Sequence, residues 1–412
     1  MPPIAAGVDF LEEPVAIFGI LLMGGALVAG VARRSFLSLA AGFVVAGFLL
    51  GQGGLELLDL DPRSDFVQGL AVIALVLILF RDGLEVEEEM LQKAWHVPFR
   101  SLVLAMPITA GLIALVTHAL TDLDWTESFL VGALLSPTDP VLSSSVVTNP
   151  RVPRLIRHSL NLESGLNDGL ALPAVLAFTA AAEAREDFVW WEFVLQDVGF
   201  GFATGLAVAF VAARLMPRDR GLAGGPSAHQ KSMYALGVAF AAYGTAVLPP
   251  EGNGFISVFV AAIAFGIWRP DIRECFETRA EDILEVVKLG VFLVFGAIFT
   301  LDTLLEDGWA AVAIAAFTLL VARPVAVFTA LAGSRQVDVA AKAFMSWFGP
   351  KGVATMTFAL FVLGSAVPEG ERIAGLAALV VFISVIAHGL TDHPGSEWMA
   401  RRAEREPETA AA

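Results

Sequence analysis

Four residues that could bind a cation or carry a proton lie close together in the stretch SLNLESGLNDGLALP, residues 159–173. Glu163, Ser164, Asn167 and Asp168 supply two carboxylates, a hydroxyl and an amide. Ser164 and Asp168 are four residues apart and therefore share one face of a helix, with Asn167 beside them. Oxygen ligands without a thiol or an imidazole form a hard site, which suits a small hard cation.

The role of this stretch depends on whether it lies in water or in a membrane. The chain has 412 residues, 56% of them hydrophobic, and its mean hydropathy is +0.71. Soluble globular chains are usually about 45–50% apolar, so the composition indicates a protein with many membrane spans. A charge near the centre of a bilayer costs roughly 2.5–3.5 kcal/mol and is tolerated where it is paired or lines a watery cavity. The carboxylates are therefore candidates for function.

Several other classes of protein are disfavoured by the sequence. The glycine-rich segment GLAGGP, residues 221–226, lacks the GK[ST] ending of a phosphate-binding loop, so we expect no nucleotide, nucleic acid or other cofactor. A single cysteine, Cys275, excludes an intrachain disulfide framework. The first residues carry no Lys or Arg, so we expect a retained first span rather than a secretory signal peptide.

Apolar runs bounded by charges or turn residues predict an all-α polytopic membrane protein with about thirteen transmembrane helices. We predict a transmembrane domain over residues 1–398 and a short polar cytoplasmic tail over 399–412, with no soluble domain after the spans. The predicted spans are 14–31, 36–51, 66–80, 101–119, 128–147, 159–182, 193–213, 232–248, 255–268, 286–301, 309–332, 343–363 and 373–390.

The basic residues outside the spans segregate to one side of the membrane. When Lys288 is counted with the loop before its span, the loops after even-numbered spans hold only Arg63, Arg185 and Arg372. By the positive-inside rule the other side is cytoplasmic, with the N-terminus outside and the C-terminus inside. We therefore expect a multi-pass protein of the plasma membrane.

Five charged residues are predicted to lie within the inner half of the bilayer. At about 1.5 Å of rise per residue, Asp168, Asp139 and Lys351 lie roughly 12–16 Å from the inner ends of their spans. Arg323 is at about 14 Å and Glu163 at about 6 Å. Opposite charges at compatible depth usually pair, so we expect Glu163 and Arg323 to form a structural ion pair. Asp168 is then left to exchange one neutralising partner, a proton, for another, a cation.

Two predicted spans contain matched helix breakers. The fifth contains LLSPTDPVLSSS, residues 134–145, with Pro137 and Pro140, and the twelfth contains WFGPKGVATMT, residues 347–357, with Pro350. Each proline removes a backbone donor and clashes with the preceding turn, so both helices should be interrupted within the membrane. Such breaks are allowed only where protein or a water-filled cavity covers them.

The positions of the two breaks predict an inverted repeat. Spans 1–6 and 8–13 would form two six-helix repeats, in which spans 5 and 12 correspond and cross. Asp139 could then neutralise the amide ends at the crossing and Lys351 the carbonyl ends, while Thr138 offers a hydroxyl and a carbonyl to a cation. We favour this structural role for Asp139 and Lys351 over direct cation binding.

Taken together, these motifs resemble the monovalent cation–proton antiporter superfamily, in its NhaP/NHE-like branch with an Asn-Asp pair. The resemblance covers essentially the whole membrane domain. It rests on Thr138-Asp139 at a proline break, Glu163-Ser164 followed by Asn167-Asp168, Arg323-Pro324, and the closing HGLTDHPGSEW at residues 388–398.

The resemblance implies a homodimeric secondary transporter, not an enzyme, that exchanges Na⁺ and H⁺ across the lipid bilayer. Asp168 would carry the proton or cation, and Ser164, Thr138 and Asn167 would complete the cation site. Glu163 and Arg323 would be the supporting ion pair. With one exchanging carboxylate, we expect electroneutral exchange of one Na⁺, or Li⁺, for one H⁺.

The sequence departs from the family pattern in two places. Lys351 stands where an Arg is often found in the glycine-rich break. Some members use an acid in the third span, but the interior of residues 66–80 has only Gln68. Arg81 and Asp82 lie at the inner edge of that span, where we expect them to pair with each other. The histidines, including His388, are placed mostly in loops or at span ends.

Three alternatives remain open at the level of sequence. A K⁺/H⁺ antiporter of the same fold is excluded by no residue. A sodium-coupled anion symporter would need Arg323 or Lys351 without an acidic partner. A membrane scaffold or sensor that transports nothing would keep its function when Asp168 is replaced by Asn.

Overall fold

The computed structural model of the chain is built of helices, turns and connecting segments. It describes residues 9–32, 39–86, 96–139, 144–184, 187–217, 225–249, 251–334 and 336–410, and this part of the chain contains no β-strand. Pro140, expected at the first helix break, and Arg185, expected in an outer loop, lie outside the described residues, as do the last two residues of the predicted tail.

The described residues of the first half of the chain form seven helices. Their bounds are α1 Asp9–Ala32, α2 Leu39–Leu50, α3 Asp65–Leu84, α4 His96–Leu120, α5 Trp125–Leu135, α6 Ser144–Thr148 and α7 Arg154–Ala184. Two of them begin with side chains that cap free backbone amides: Ser64 accepts from the Val67 N–H, and Asp124 and Glu127 form a capping box. These caps fix where α3 and α5 start.

In the second half, the part of the chain that the structure describes forms nine helices. Their bounds are α8 Trp190–Leu215, α9 Ala228–Ala246, α10 Gly254–Trp268, α11 Pro270–Ile298, α12 Leu301–Leu304, α13 Trp309–Ala330, α14 Val339–Trp347, α15 Val353–Gly364 and α16 Gly370–Ala410. The corner between α10 and α11 is bent by 116°. Arg269 is fully buried at this corner and donates to the Ala213 and Met216 carbonyls at the end of α8.

The multi-span helical class predicted from composition is confirmed. Among the described residues, six helices are long and apolar enough to cross a membrane, or seven if α10 and the start of α11 count as one bent span. Each predicted apolar run overlaps a helix or a pair of half-helices. The shorter helices do not reach span length by themselves, so thirteen crossings and the inverted repeat remain predictions.

The helices pack as two bundles. The first bundle contains α1–α3 and α8–α11, and the second contains α4–α7 and α12–α16. The bundles meet where α3 packs against α7 and α15 and where α11 packs against α15. Since α7 and the half-helices belong to the second bundle, the charged residues of the sequence motifs lie at or near this seam.

The last helix is longer than predicted. The apolar run ends near residue 390, but α16 continues as one helix to Ala410 and passes the predicted domain boundary at 398 without a break. Met399 and Ala400 are buried, and Met399 belongs to a core cluster with Phe344 of α14. The polar tail is thus the last turns of a packed helix.

An ionic cluster ties three connections together at the predicted outer side. The Arg372 guanidinium lies 2.5 Å from Asp307 and 2.5 Å from Asp122. Its hydrogen bond to Asp122 holds the pKa of that carboxyl below its ordinary value. A lowered pKa in the folded state stabilises the fold at pH values above the ordinary pKa of Asp, about 3.9. This contribution is lost as the pH falls from that value through the lowered pKa of Asp122.

Candidate functional site

The candidate site is built around two interrupted helices that cross. The helix α5 ends at Leu135 and α6 begins at Ser144, while α14 ends at Trp347 and α15 begins at Val353. The two breaks touch directly, since the Asp139 N–H donates to the Pro350 carbonyl over 2.8 Å. Both interruptions are therefore present where the prolines predicted them.

The two charges at the crossing face opposite helix ends. The Lys351 ammonium donates to the Ser136 and Pro137 carbonyls, at 3.3 and 3.0 Å, just past the C-terminus of α5. A carboxylate oxygen of Asp139 accepts from the Val353 N–H at the start of α15 over 3.1 Å. Carbonyl ends of helices carry partial negative charge and amide ends partial positive charge, so each side chain compensates the end that it meets.

Two glycines allow the crossing to be this close. A Cβ atom on Gly352 would overlap the Asp139 carboxylate, and one on Gly349 would overlap the Arg323 guanidinium. The φ angle of Gly352 is −135°, which any residue can adopt. The close approach of side chains, rather than backbone strain, therefore requires glycine here.

We expect Gly352→Ala to destabilise the protein because the new methyl group must displace Asp139 from the Val353 N–H. Inserting a methyl group into a packed interior typically costs about 1–3 kcal/mol. A thermal unfolding curve of the purified protein measures the loss. The matched control is Gly237→Ala in α9, where an added Cβ meets nothing within 4 Å. Equal melting temperatures for the two variants would contradict the prediction.

The helix α7 places a polar cluster against the first break. The Ser164 hydroxyl donates to the Thr138 carbonyl, and the Asn167 amide donates to the Thr138 hydroxyl over 2.8 Å and to its carbonyl over 3.1 Å. All three residues are buried. One turn of helix separates Ser164 from Asn167 and Asp168, which explains why the three side chains lie on the same side.

Asp168 is buried and incompletely satisfied. Only 5% of the residue is exposed, and its Oδ1 atom has no hydrogen-bond partner among the described residues. The Asn167 Oδ1 atom likewise has none. Buried polar atoms usually have partners, so the open oxygens of these two successive residues make them candidates to hold a proton or a cation.

A small cavity lies at the crossing of the two breaks. Its volume is about 10 Å³, and Thr138, Asp139 and Ser164 are among its lining residues together with Gly349 and Pro350. That volume is about the smallest space that holds a water molecule. The structure thus brings Thr138 and Ser164 to one cavity, and Asp168 is not among the residues that line it.

Glu163 and Arg323 form an ion pair in which the guanidinium and carboxylate atoms are 2.8 Å apart. Both residues are buried, at 4% and 6% exposure. Arg323 also donates to the Met345 carbonyl of α14 over 3.3 Å. The pair therefore connects α7 with α13 and α14. Its Glu163 directly precedes Ser164, the first residue of the polar cluster.

The structure corrects the placement of two charged groups. The sequence assigned Lys288 to a cytoplasmic loop, but the residue lies inside α11 with 7% exposure. Asp82 was placed at the edge of the membrane in a local pair with Arg81. The pair exists, with a hydrogen bond of 2.7 Å, yet Asp82 is 1% exposed and interacts electrostatically with Asp168.

The buried charges are therefore not confined to the four predicted spans. The position of Lys288 within its own apolar run was the available signal, because a residue inside a run is usually inside the helix. No signal in the sequence distinguished Asp82 from an exposed acid, since α3 ends only two residues later.

A second, larger cavity opens between the bundles. It has a volume of about 280 Å³ and lies at the predicted cytoplasmic end of α3, between α3, α7 and α11. Its polar lining consists of Arg81, Asp82, Glu85, Asn161 and Glu281. It reaches Gly165, one turn before Asp168, so it provides a largely acidic approach to the polar cluster.

Two helix bundles, crossed broken helices compensated by opposite charges, and a buried carboxylate near the crossing define an ion-coupled membrane transporter. Comparison of the chain with models of protein families identifies which family of transporters this is. Residues 19–397 match the profile of the transmembrane sodium/hydrogen exchangers. The chain belongs to this family, whose members are cation–proton antiporters and not enzymes.

Relatives with assigned names are distant but cover most of the chain. The K⁺/H⁺ antiporter NhaP of Alkalimonas amylolytica is 25% identical over 409 residues, which are 97% of this chain and 69% of that protein. The Na⁺/H⁺ antiporter NhaG of Bacillus atrophaeus is 25% identical over 408 residues, 92% of this chain and 74% of the relative. For several K⁺/H⁺ antiporters named NhaP2, from Shewanella, the match spans 66% of the relative's length.

The fold has a counterpart among solved structures. The sodium/proton antiporter MjNhaP1 from Methanocaldococcus jannaschii, determined at pH 8, superposes with a TM-score of 0.79. The match covers 96% of this chain and 99% of that one at 19% identity. At this identity the likeness establishes the shared fold.

Proposed function

We propose that this protein exchanges Na⁺ for H⁺, one for one and without net charge transfer, at Asp168. The observation that carries the proposal is the buried Asp168 carboxylate with an open oxygen, which directly follows Asn167 in α7. The Asn167 amide bonds to Thr138, and Thr138 and Ser164 line a small cavity. A single carboxylate of this kind holds one positive charge at a time, either a proton or a cation. Competition between the two, with alternating access to the two sides, produces exchange.

The surrounding charges support the assignment of a single exchanging group. Arg323 is paired with Glu163, and Lys351 and Asp139 meet helix ends at the crossing. These contacts give each of the four groups a stationary role. They also weaken the sodium-coupled anion symporter at Arg323, which has an acidic partner, whereas Lys351 meets the carbonyl groups of a helix end rather than an acid.

Movement of one bundle against the other would expose Asp168 to either side in turn. The cavity lined by Asp82, Glu85 and Glu281 opens toward the predicted cytoplasmic side. On the opposite side of the seam, Gln68 of α3 donates to the Leu360 carbonyl of α15 over 2.9 Å. We infer that the structure is open to the inside. We also propose that the protein is a homodimer of the plasma membrane, with the N-terminus outside and the C-terminus in the cytoplasm.

Exchange of K⁺ for H⁺ is the second candidate. The relatives NhaP and NhaP2 carry that activity in their names, whereas NhaG and MjNhaP1 are named for sodium. Hard oxygen ligands serve either ion, and selectivity between them depends on the size of the cavity in the occupied state.

Proteoliposomes with an imposed pH gradient and an internal pH dye test both candidates. Adding Na⁺, Li⁺ or K⁺ chloride in turn should collapse the gradient for the transported ion. Clamping the membrane potential at zero should leave the rate unchanged if exchange is electroneutral. Collapse by K⁺ alone would replace the proposed substrate and keep the mechanism. A folded protein that collapses no gradient would favour the scaffold reading.

A further inference from the structure

Two residues of α16 lie against the break between α14 and α15. Ser384 and His388 are one helical turn apart and are almost fully buried, with 0% and 2% exposure. The sequence placed His388 at a span end, and α16 continues as a helix for several turns beyond it. Neither residue touches Asp168, and the exchange proposed above does not use them.

Both residues bond to the backbone of the break, on its two sides. The Lys351 N–H donates to the Ser384 hydroxyl over 2.8 Å. The His388 Nε2 atom lies 2.7 Å from the Trp347 carbonyl, to which a protonated Nε2 donates. The other ring nitrogen of His388 lies 2.8 Å from the Ser384 carbonyl and 3.1 Å from its hydroxyl. One side-chain pair thus spans the whole interruption, and we name it the α16 clamp.

The clamp bonds to two backbone groups at the interruption, the Lys351 N–H and the Trp347 carbonyl, which also accepts from the Gly349 N–H over 2.8 Å. A helix end leaves its last carbonyls and the next helix its first amides without helical partners, and no water is available in the hydrocarbon region to replace them. Trp347 is the last residue of α14, and Lys351 lies two residues before α15. The clamp therefore fixes how far apart, and in what orientation, the two half-helices end.

The position of the imidazole is itself fixed. The His388 ring stacks on the Trp347 indole with centroids 4.9 Å apart and planes inclined by 24°. The indole N–H donates to the Thr391 hydroxyl of α16 over 2.8 Å. Ser384, His388 and Thr391 follow one face of α16 at intervals of four and three residues, so a rigid helix presents all three to the break.

The same short segment carries the contacts of the candidate site. The Pro350 carbonyl accepts from Asp139, the Lys351 ammonium reaches the end of α5, and Gly349 lies against Arg323. Gly349 and Pro350 also line the cavity next to Ser164. A shift of the backbone between Trp347 and Lys351 would move all of these groups together.

We propose that Ser384 and His388 are positioning residues that hold the break of α14 and α15 in the geometry required for cation binding. They act through the backbone of residues 347–351 and do not touch the cation. This inference rests on the proposed exchange at Asp168. Packing alone is the simpler role for a buried histidine, but packing does not depend on a hydrogen-bond donor at the position of Nε2.

The test compares His388→Ala, His388→Gln and Ser384→Ala with His393→Ala. His393 lies on the same helix and is exposed, which makes it the matched control. Glutamine can donate to the Trp347 carbonyl through its amide, whereas alanine cannot. Two quantities are measured on protein that elutes as a single species: hydrogen–deuterium exchange of peptides covering residues 348–353, and the KM and maximal rate for Na⁺ in proteoliposomes.

We expect faster amide exchange over residues 348–353 in Ser384→Ala, because the Lys351 N–H loses its acceptor. We expect the same in His388→Ala, because the Ser384 hydroxyl then loses its contact with the imidazole. Partners that orient the ligands of a cation typically contribute about 10- to 100-fold in affinity, so KM should rise by a factor in that range. His388→Gln should recover most of the wild-type KM, and His393→Ala should leave both quantities unchanged.

An unchanged exchange rate over residues 348–353 in a folded His388→Ala variant would overturn the clamp. Faster exchange with an unchanged KM would overturn its role in positioning the site, as would His388→Gln behaving like His388→Ala. If the wild type transported no cation, the proposed function would fail. The amide exchange would then still decide whether the clamp holds the break.

Discussion

Asp168→Asn is expected to abolish cation–proton exchange while leaving the protein folded. The amide has nearly the same shape as the carboxylate but can neither take up a proton nor neutralise a cation. Collapse of a pH gradient in proteoliposomes should fall to the level of protein-free vesicles. The matched control is Asp197→Asn, which neutralises a half-buried acid in α8, in the other bundle.

Cation binding by Asp168 also has a consequence that does not depend on transport. A ligand at 100 times its dissociation constant stabilises the folded state by about 2.7 kcal/mol. Na⁺ at that concentration should therefore raise the melting temperature of the wild type but not of Asp168→Asn. Because protons compete for the same carboxylate, the rise should become smaller as the pH is lowered.

Two outcomes would contradict the assignment of Asp168 as the exchanging carboxylate. Residual exchange in Asp168→Asn well above the vesicle background would show that another group carries the ion. Asp82 would be the next residue to replace, since it is equally buried and interacts with Asp168. A salt-induced stabilisation of the same size in the wild type and the variant would show that the cation binds elsewhere.

Glu163→Ala is expected to cause the largest loss of stability among the site variants. Removing the carboxylate leaves the Arg323 guanidinium buried without its acidic partner, and breaking a buried ion pair on one side typically costs about 3–5 kcal/mol. The double variant Glu163→Ala/Arg323→Ala removes both charges and should recover a large part of this loss. Thermal unfolding of the wild type, the two single variants and the double variant gives the coupling energy.

An exposed ion pair on the same chain provides the control for this cycle. Arg63 and Glu371 lie 3.2 Å apart, and their side chains are 62% and 67% exposed. Surface pairs are typically worth about 0–1 kcal/mol, so Glu371→Ala should change the melting temperature little. If Glu163→Ala were as mild, or the double variant no better than the single one, the buried pair would not be structural and Arg323 would be open to other roles.

The arrangement also explains how one chain keeps several buried charges in a membrane. Each of Glu163, Arg323, Asp139 and Lys351 has a partner of opposite charge or a helix end. Asp168 differs from them because it forms no ion pair with a basic residue and no hydrogen bond to a helix end in the described part of the chain, while its Oδ1 atom is left without a partner. A group without a fixed partner is the one that can exchange its partner, which is what an antiporter requires.

The sequence by itself determined the class of the protein, both helix breaks and the pairing of Glu163 with Arg323. These features depend on local chemistry. Pro137 and Pro350 interrupt a helix wherever they stand, since each removes a backbone donor. Glu163 and Arg323 could be matched because their charges are opposite and because the rise per residue places both in the inner half of the bilayer.

The tertiary structure decided what each side chain faces and where helices end. Lys288 and Asp82 are buried because neighbouring helices cover them, and no local pattern reports that cover. His388 reaches Trp347 only because α16 packs against the end of α14. Contacts between residues 41 positions apart depend on the rotation and register of two helices. Those are set by packing across the whole bundle, which is why the clamp could not be predicted from the chain.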